Sequence, residues 1–198
     1  MKQVIQIRCK NNKKSQKVEI GSTLFDIFSA FDLKMTHGPV SARVNNKVEG
    51  MHYRVYNSKD VEFLDMTSSS GSRAYTRTLF FVLCKAVQDI YPATDVVIDI
   101  PVSNGFYVDI RLGRPVVDED VNIIRRRMQE IIDARMPIRR FTVPTEEAVA
   151  LFQEKGDVEK VKLLKTSGSI YTTYYKIGDY VDYYYGTLLT NTSQLYLF

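Results

Sequence analysis

Residues 3–31 read "QVIQIRCKNNKKSQKVEIGSTLFDIFSAF", and their two periodicities decide the fold of the first third of the chain. In "QVIQIRC" (3–9) and "QKVEI" (16–20) apolar residues fall on alternate positions, the period of a half-buried strand, around the polar turn "KNNKKSQK". "GSTLFDIFSAF" then changes to a helical period, with Leu24, Ile27 and Phe28 on one stripe. Thr23, with Asp26 three residues on, has the pattern of a capping box at its start.

Further short strands follow in "VSARVNNKVEG", around Asn45-Asn46, and in "DVEFLDM". The order strand, strand, helix, strand, strand is that of a small β-grasp domain over residues 1–66. "TSSSGS" (67–72) has the composition of a linker. Residues 73–198 form a second, larger α+β piece. A helix over 73–90 places Leu79, Val82, Leu83, Ala86 and Ile90 on one stripe and stops at Tyr91-Pro92. "DVVIDIPV" and "GFYVDIRL" are strands flanking the turn "SNG". An amphipathic helix turns Val121, Ile124, Met128, Ile131 and Ile132 inward, with Asp118, Glu119 and Asp120 at the positive end of its dipole. The strand "IRRFTV", a helix after Pro144 and a strand-like tail complete the pattern. Seven tyrosines fall within residues 171–185, which suits a half-buried sheet with wet hydroxyls better than a base-stacking platform.

Composition narrows the chemistry. The two cysteines, Cys9 and Cys84, are too few for a disulfide framework or a metal site and read as reduced thiols of a cytoplasmic protein. No apolar run reaches the roughly 18–20 residues of a membrane span. His37 and His52 have no partner at ligand spacing. "GxxxxGK[ST]" and "GxSxG" loops are both absent from the sequence. The net charge of +4 is concentrated: residues 1–66 carry 11 Lys/Arg against 7 Asp/Glu, while the rest balances at 16 each. Lys10, Lys13, Lys14 and Lys17 make most of that excess, and "IRRRM" (124–128) adds Arg125, Arg126 and Arg127. Solvated faces are the commoner use of such clusters; contact with RNA phosphates is the functional one.

"GPVSARVNNKVEGMHYRVYNSKDVEFLDM" resembles the end of a TGS domain, the β-grasp module of threonyl-tRNA synthetases. "LFFVLCKAVQDIYPATDVVIDIPVSNGFYVDIRLGRPVVDEDVNIIRRRMQEII" resembles the second additional, editing domain that follows it there. The resemblance implies an HxxxH pair and a later Cys and His, the groups that remove serine from mischarged tRNA. A second hydrolytic site is needed because one methyl group is worth only about 1–3 kcal/mol in binding. These positions fall at Arg77, Phe81, Tyr184 and Leu188, so the resemblance implies a degenerate site with no catalytic residue, no zinc and no cofactor. A retained cleft would offer Arg77, Lys85, Tyr107, Asp182 and Tyr184 to a nucleotide or small anion, with Tyr184 sharing a strand face with Asp182. Alternatively, Phe81 and Leu188 fill it.

The same two modules resemble the N-terminal region of bacterial uridine-kinase-like proteins. On that reading the chain is a non-catalytic binding or regulatory region of a nucleoside kinase, with the ending "QLYLF" continuing into a kinase domain that uses ATP and Mg. The alternatives are an RNA- or tRNA-binding module of an atypical threonyl-tRNA synthetase-like protein, contacting RNA through Lys10, Lys13, Lys14 and Arg125–Arg127, and a residual aminoacyl-tRNA deacylase.

Overall fold

The computed structural model describes residues 3–103 and 105–196; Asn104 of the expected turn and the last two residues of "QLYLF" lie outside the described residues. The fold is α+β, in two compact units. One runs to Met136 and takes in the chain again from Thr187; the other is Pro137–Gly186.

The first unit opens with β1 (Val4–Cys9), β2 (Ser15–Glu19), α1 (Leu24–Ala30), β3 (Ser41–Val44), β4 (Lys47–Gly50) and β5 (Lys59–Leu64). The sheet order is β2-β1-β5-β3-β4, with β1 parallel to β5 and the other pairs antiparallel. This is the expected β-grasp, with three strands after the helix instead of two because Asn45, at φ 53°, reverses the chain into a hairpin. Alternation buries Ile7, Cys9, Val61 and Phe63 on one face, where Leu24 and Ile27 of α1 meet the same core. The capping box forms: Thr23 Oγ1 accepts from Asp26 N (3.2 Å) and Asp26 Oδ2 from Thr23 N (2.8 Å). Asn11 adds a pseudo-strand contact, its amide donating to Phe63 O (2.9 Å) and accepting from Phe63 N (2.8 Å).

Residues 69–72, expected within a linker, are instead the first turn of α2 (Ser69–Ile90). Ser68 Oγ caps it by accepting from Gly71 N (3.1 Å), and a Cβ on Gly71 would sit 1.8 Å from Asp65 O. A serine-rich run before an apolar helix is therefore a cap here, as the short hydroxyl side chain favours. The buried face of α2 is also rotated from the expected stripe. Thr78, Phe81, Val82, Lys85 and Ala86 are buried, while Leu79, Leu83 and Ile90 are half-buried. After β6 (Val96–Val102) and its hairpin partner β7 (Gly105–Ile110), α3 (Asp118–Asp133) packs on α2 and buries Ile124, Met128, Ile131 and Ile132. Val121, expected inward, is 52% exposed, since only the later turns of α3 reach the core.

The second unit holds β8 (Arg139–Pro144), α4 (Thr145–Glu154), α5 (Val158–Thr166), β9 (Tyr171–Ile177) and β10 (Tyr180–Tyr183), its sheet ordered β10-β9-β8 and wholly antiparallel. The tyrosines serve this sheet: Tyr174 stacks on its cross-strand partner Phe141 (5.3 Å), and buried Tyr175 donates to Gly186 O (2.8 Å). Helix α5 went unread in the sequence because "VEKVKLLKT" buries only Leu164.

Candidate nucleic-acid interface

The β-grasp sheet has one face covered by α1, and on its other face the part around β2, β1 and the start of β5 is open to solvent, while Ser41 and Leu64 further along that face are buried. Outward residues follow from register: Gln6 lies beside Lys17, and Arg8 lies between Ser15 on β2 and Asp60 on β5. A shallow pocket of about 350 Å³ opens there, lined by Gln6, Arg8 and Ser15. Asn45 and the Ser58–Asp60 segment complete it. The backbone beneath is tightly held: Ser58 Oγ accepts from Gln6 N (3.2 Å), Asn45 Oδ1 from Asp60 N (3.1 Å), and Asp60 O from Asn45 N (2.7 Å). Among the described residues the charged ends of Arg8, Lys59 and Asp60 make no hydrogen bond or ion pair within the chain. At the β1–β2 end of this sheet, Lys10, Lys13 and Lys14 are exposed on the turn that joins the pocket strands, and Lys17 is exposed on β2. The lysines were legible from composition. Arg8, Lys59 and Asp60 were not, because the parallel pairing that joins them spans some fifty residues of sequence.

The expected cleft residues divide between the two units. In the first, Phe81 and Leu188 are fully buried, as befits large apolar side chains with no polar role. Arg77 is half-buried and Tyr107 is exposed on β7. Lys85 is buried, 4% exposed, and its ammonium donates to Asp89 Oδ1 (3.0 Å). Asp89 also receives Arg127 (Nε and Nη2 at 3.0 and 2.9 Å), whose other arm reaches Glu130 (2.8 Å). Of the arginine run, Arg127 therefore ties α3 to α2, while Arg125 and Arg126 are exposed.

In the second unit, Asp182 is buried and accepts from Tyr180 Oη (2.8 Å), its neighbour's Tyr183 N (2.6 Å) and Lys160 (2.9 Å). Burial works to lower the Lys160 pKa, but the carboxylates of Asp182 and Asp157 raise it overall and keep the ammonium charged. Asp182 is thus occupied within the chain. Tyr184 lies beyond the end of β10 at Tyr183, so strand alternation does not extend from Asp182 to it. Among the described residues no group of three His, Cys, Asp or Glu is placed to hold a metal ion, and no helix is long and apolar enough to cross a membrane.

Over almost its whole length the chain is similar to threonine–tRNA ligases. It is 30% identical to that of Clostridium kluyveri over 193 residues, which is 96% of this chain and 30% of the relative. With the enzyme of Acetivibrio thermocellus it shares 28% identity over 179 residues, 90% of this chain and 28% of the relative. The Clostridioides difficile enzyme is 28% identical over 181 residues, 91% of this chain and 28% of the relative. The chain spans less than a third of the length of these curated relatives. No protein-family model matches it. The relatives fit the α+β architecture of a TGS module followed by an editing-like domain.

Proposed function

We propose that the chain is an RNA-binding module of a tRNA-synthetase-like protein, contacting tRNA through the open face and lysine turn of its β-grasp sheet, without hydrolytic chemistry of its own. The observation that carries this reading is a similarity to threonine–tRNA ligases that runs through 96% of the chain. Those relatives act on tRNA by name, and the excess positive charge lies in the module whose open face is free to meet a polyanion. At the editing-like positions the phenyl ring of Phe81 and the isobutyl group of Leu188 can neither ligate a metal nor move a proton, and the Arg77 guanidinium offers donors and no acceptor. Residual deacylation therefore has no metal ligand or general base at Arg77, Phe81 or Leu188. The relatives support the synthetase side of the resemblance, and the nucleoside-kinase arrangement draws no support from them.

The test is fluorescence anisotropy of a labelled threonine-tRNA transcript with the purified chain across a salt series. Binding at 50 mM salt that weakens steeply toward 200 mM, as counterion release demands, supports the reading. Absence of binding at low salt overturns it.

A further inference from the structure

We infer that the pocket on the open β-grasp face is a ribose-phosphate site that distinguishes RNA from DNA through Asp60. This deepens the RNA-binding reading and rests on it. Three observations lead there. The pocket holds one cation, Arg8, and one carboxylate, Asp60, together with the hydroxyls of Ser15 and Ser58, while Lys59, the β5 partner of buried Ile7, lines it from the opposite side of the sheet. The charged ends of Arg8 and Asp60 have no partner within the chain among the described residues, although the two are direct neighbours across the β1–β5 pair. No aromatic or large aliphatic side chain lines it.

Each observation removes a class of ligand. Pockets for buried small molecules are lined mainly by apolar and aromatic groups, and a nucleobase wants a ring to stack on. Neither is present, so the occupant is polar throughout and stays partly in water. A bare anion would answer Arg8 but would leave Asp60 repelling it. The occupant therefore carries an anion and, close by, a hydrogen-bond donor. The exposed lysines Lys10, Lys13 and Lys14 on the turn between Arg8 and Ser15 supply further cations beyond a single anion site, which favours a polymer. An RNA backbone meets all of these conditions: a phosphate for Arg8, and a ribose 2′-hydroxyl that donates to the Asp60 carboxylate. DNA brings the same phosphate with no donor for Asp60. Asp60 is pre-set for the task, because Asn45 holds its backbone N–H and C=O while its carboxylate is left unused.

The experiment compares one labelled hairpin sequence made as RNA and as DNA, by anisotropy at fixed low salt, with the unaltered chain and with Asp60→Asn and Arg8→Ala. The unaltered chain should bind the RNA about tenfold more tightly, the worth of one hydrogen bond to a charged acceptor. Asp60→Asn should shrink that ratio severalfold, chiefly by strengthening DNA binding. Arg8→Ala should weaken both hairpins alike, since phosphate contacts carry no discrimination. Equal binding of RNA and DNA by the unaltered chain, or a preference untouched by Asp60→Asn, overturns the inference while leaving RNA binding in place. Failure to bind either hairpin overturns both readings. The melting temperature of each variant checks the fold, and it should hold because neither side chain has an internal partner.

Discussion

Asp120 shows how much one side chain settles in this molecule. Arg114 grips its carboxylate with both guanidinium nitrogens (2.7 Å each), Tyr91 donates to it (2.6 Å), and Val117 N closes the turn at the start of α3 (3.0 Å). Those donors, Arg114 first and then Tyr91 and the backbone, hold its pKa far below the ordinary carboxylate range. A carboxyl whose folded pKa is depressed stabilises the fold above its unfolded pKa, and that contribution fades as acid approaches the folded value. Asp120→Asn keeps the shape but loses the charge and one acceptor. It should lower the urea midpoint at pH 7, and its deficit against the unaltered chain should begin to close below about pH 4, the ordinary aspartate value. A deficit that stays constant from pH 7 down to strong acid would mean the carboxylate's charge is not what holds the joint. The acidic start of α3 was legible in the sequence as a match to the helix dipole. That one of its three acids also anchors the end of α2 was not, since Tyr91 lies 29 residues upstream.

At the scale of elements, α2 carries the clearest difference between pattern and structure. A stripe drawn through its apolar residues passes through Leu79 and Leu83, but the face that is buried carries Thr78 and Lys85. Both polar groups are satisfied there, which is what allows burial. Thr78 Oγ1 donates to Ala74 O (2.7 Å) and accepts from Leu189 N (2.8 Å), while Lys85 is paired with Asp89. Periodicity counts apolar residues and has no means of knowing that Leu189, 111 residues away, supplies a donor. The strands of the β-grasp sheet were legible for the opposite reason: half-buried strands show their inward face in the alternation itself. The exchange at Thr78 can be tested directly. Thr78→Val preserves volume but strands the buried Leu189 N–H, and should cost about 1–3 kcal/mol in urea unfolding, whereas Thr78→Ser retains the acceptor and should lose less. A smaller loss for Thr78→Val than for Thr78→Ser would assign the residue's importance to its methyl group.

For the whole molecule, the informative quantity is where the charge sits. All of the +4 excess belongs to residues 1–66, and the structure exposes Lys10, Lys13 and Lys14 at the β1–β2 end of the β-grasp sheet. The other sequence-level basic cluster is less available, because Arg127 is held by Asp89 and Glu130, leaving Arg125 and Arg126 in solvent. These two clusters make separable predictions for RNA binding. Replacing Lys10, Lys13 and Lys14 by alanine together takes residues 1–66 from +4 to +1. Each phosphate contact contributes roughly 0.7–0.9 to the slope of log affinity against log salt, so the triple variant should flatten that slope by about 2–3. Arg125→Ala with Arg126→Ala should leave the slope near that of the unaltered chain. Both variants alter exposed side chains with no partner in the chain among the described residues, so thermal melting should stay within a degree or two of the parent, as surface substitutions usually do. Should the arginine pair flatten the slope and the lysine triple leave it intact, the RNA lies along α3, and the β-grasp face is a solvated surface.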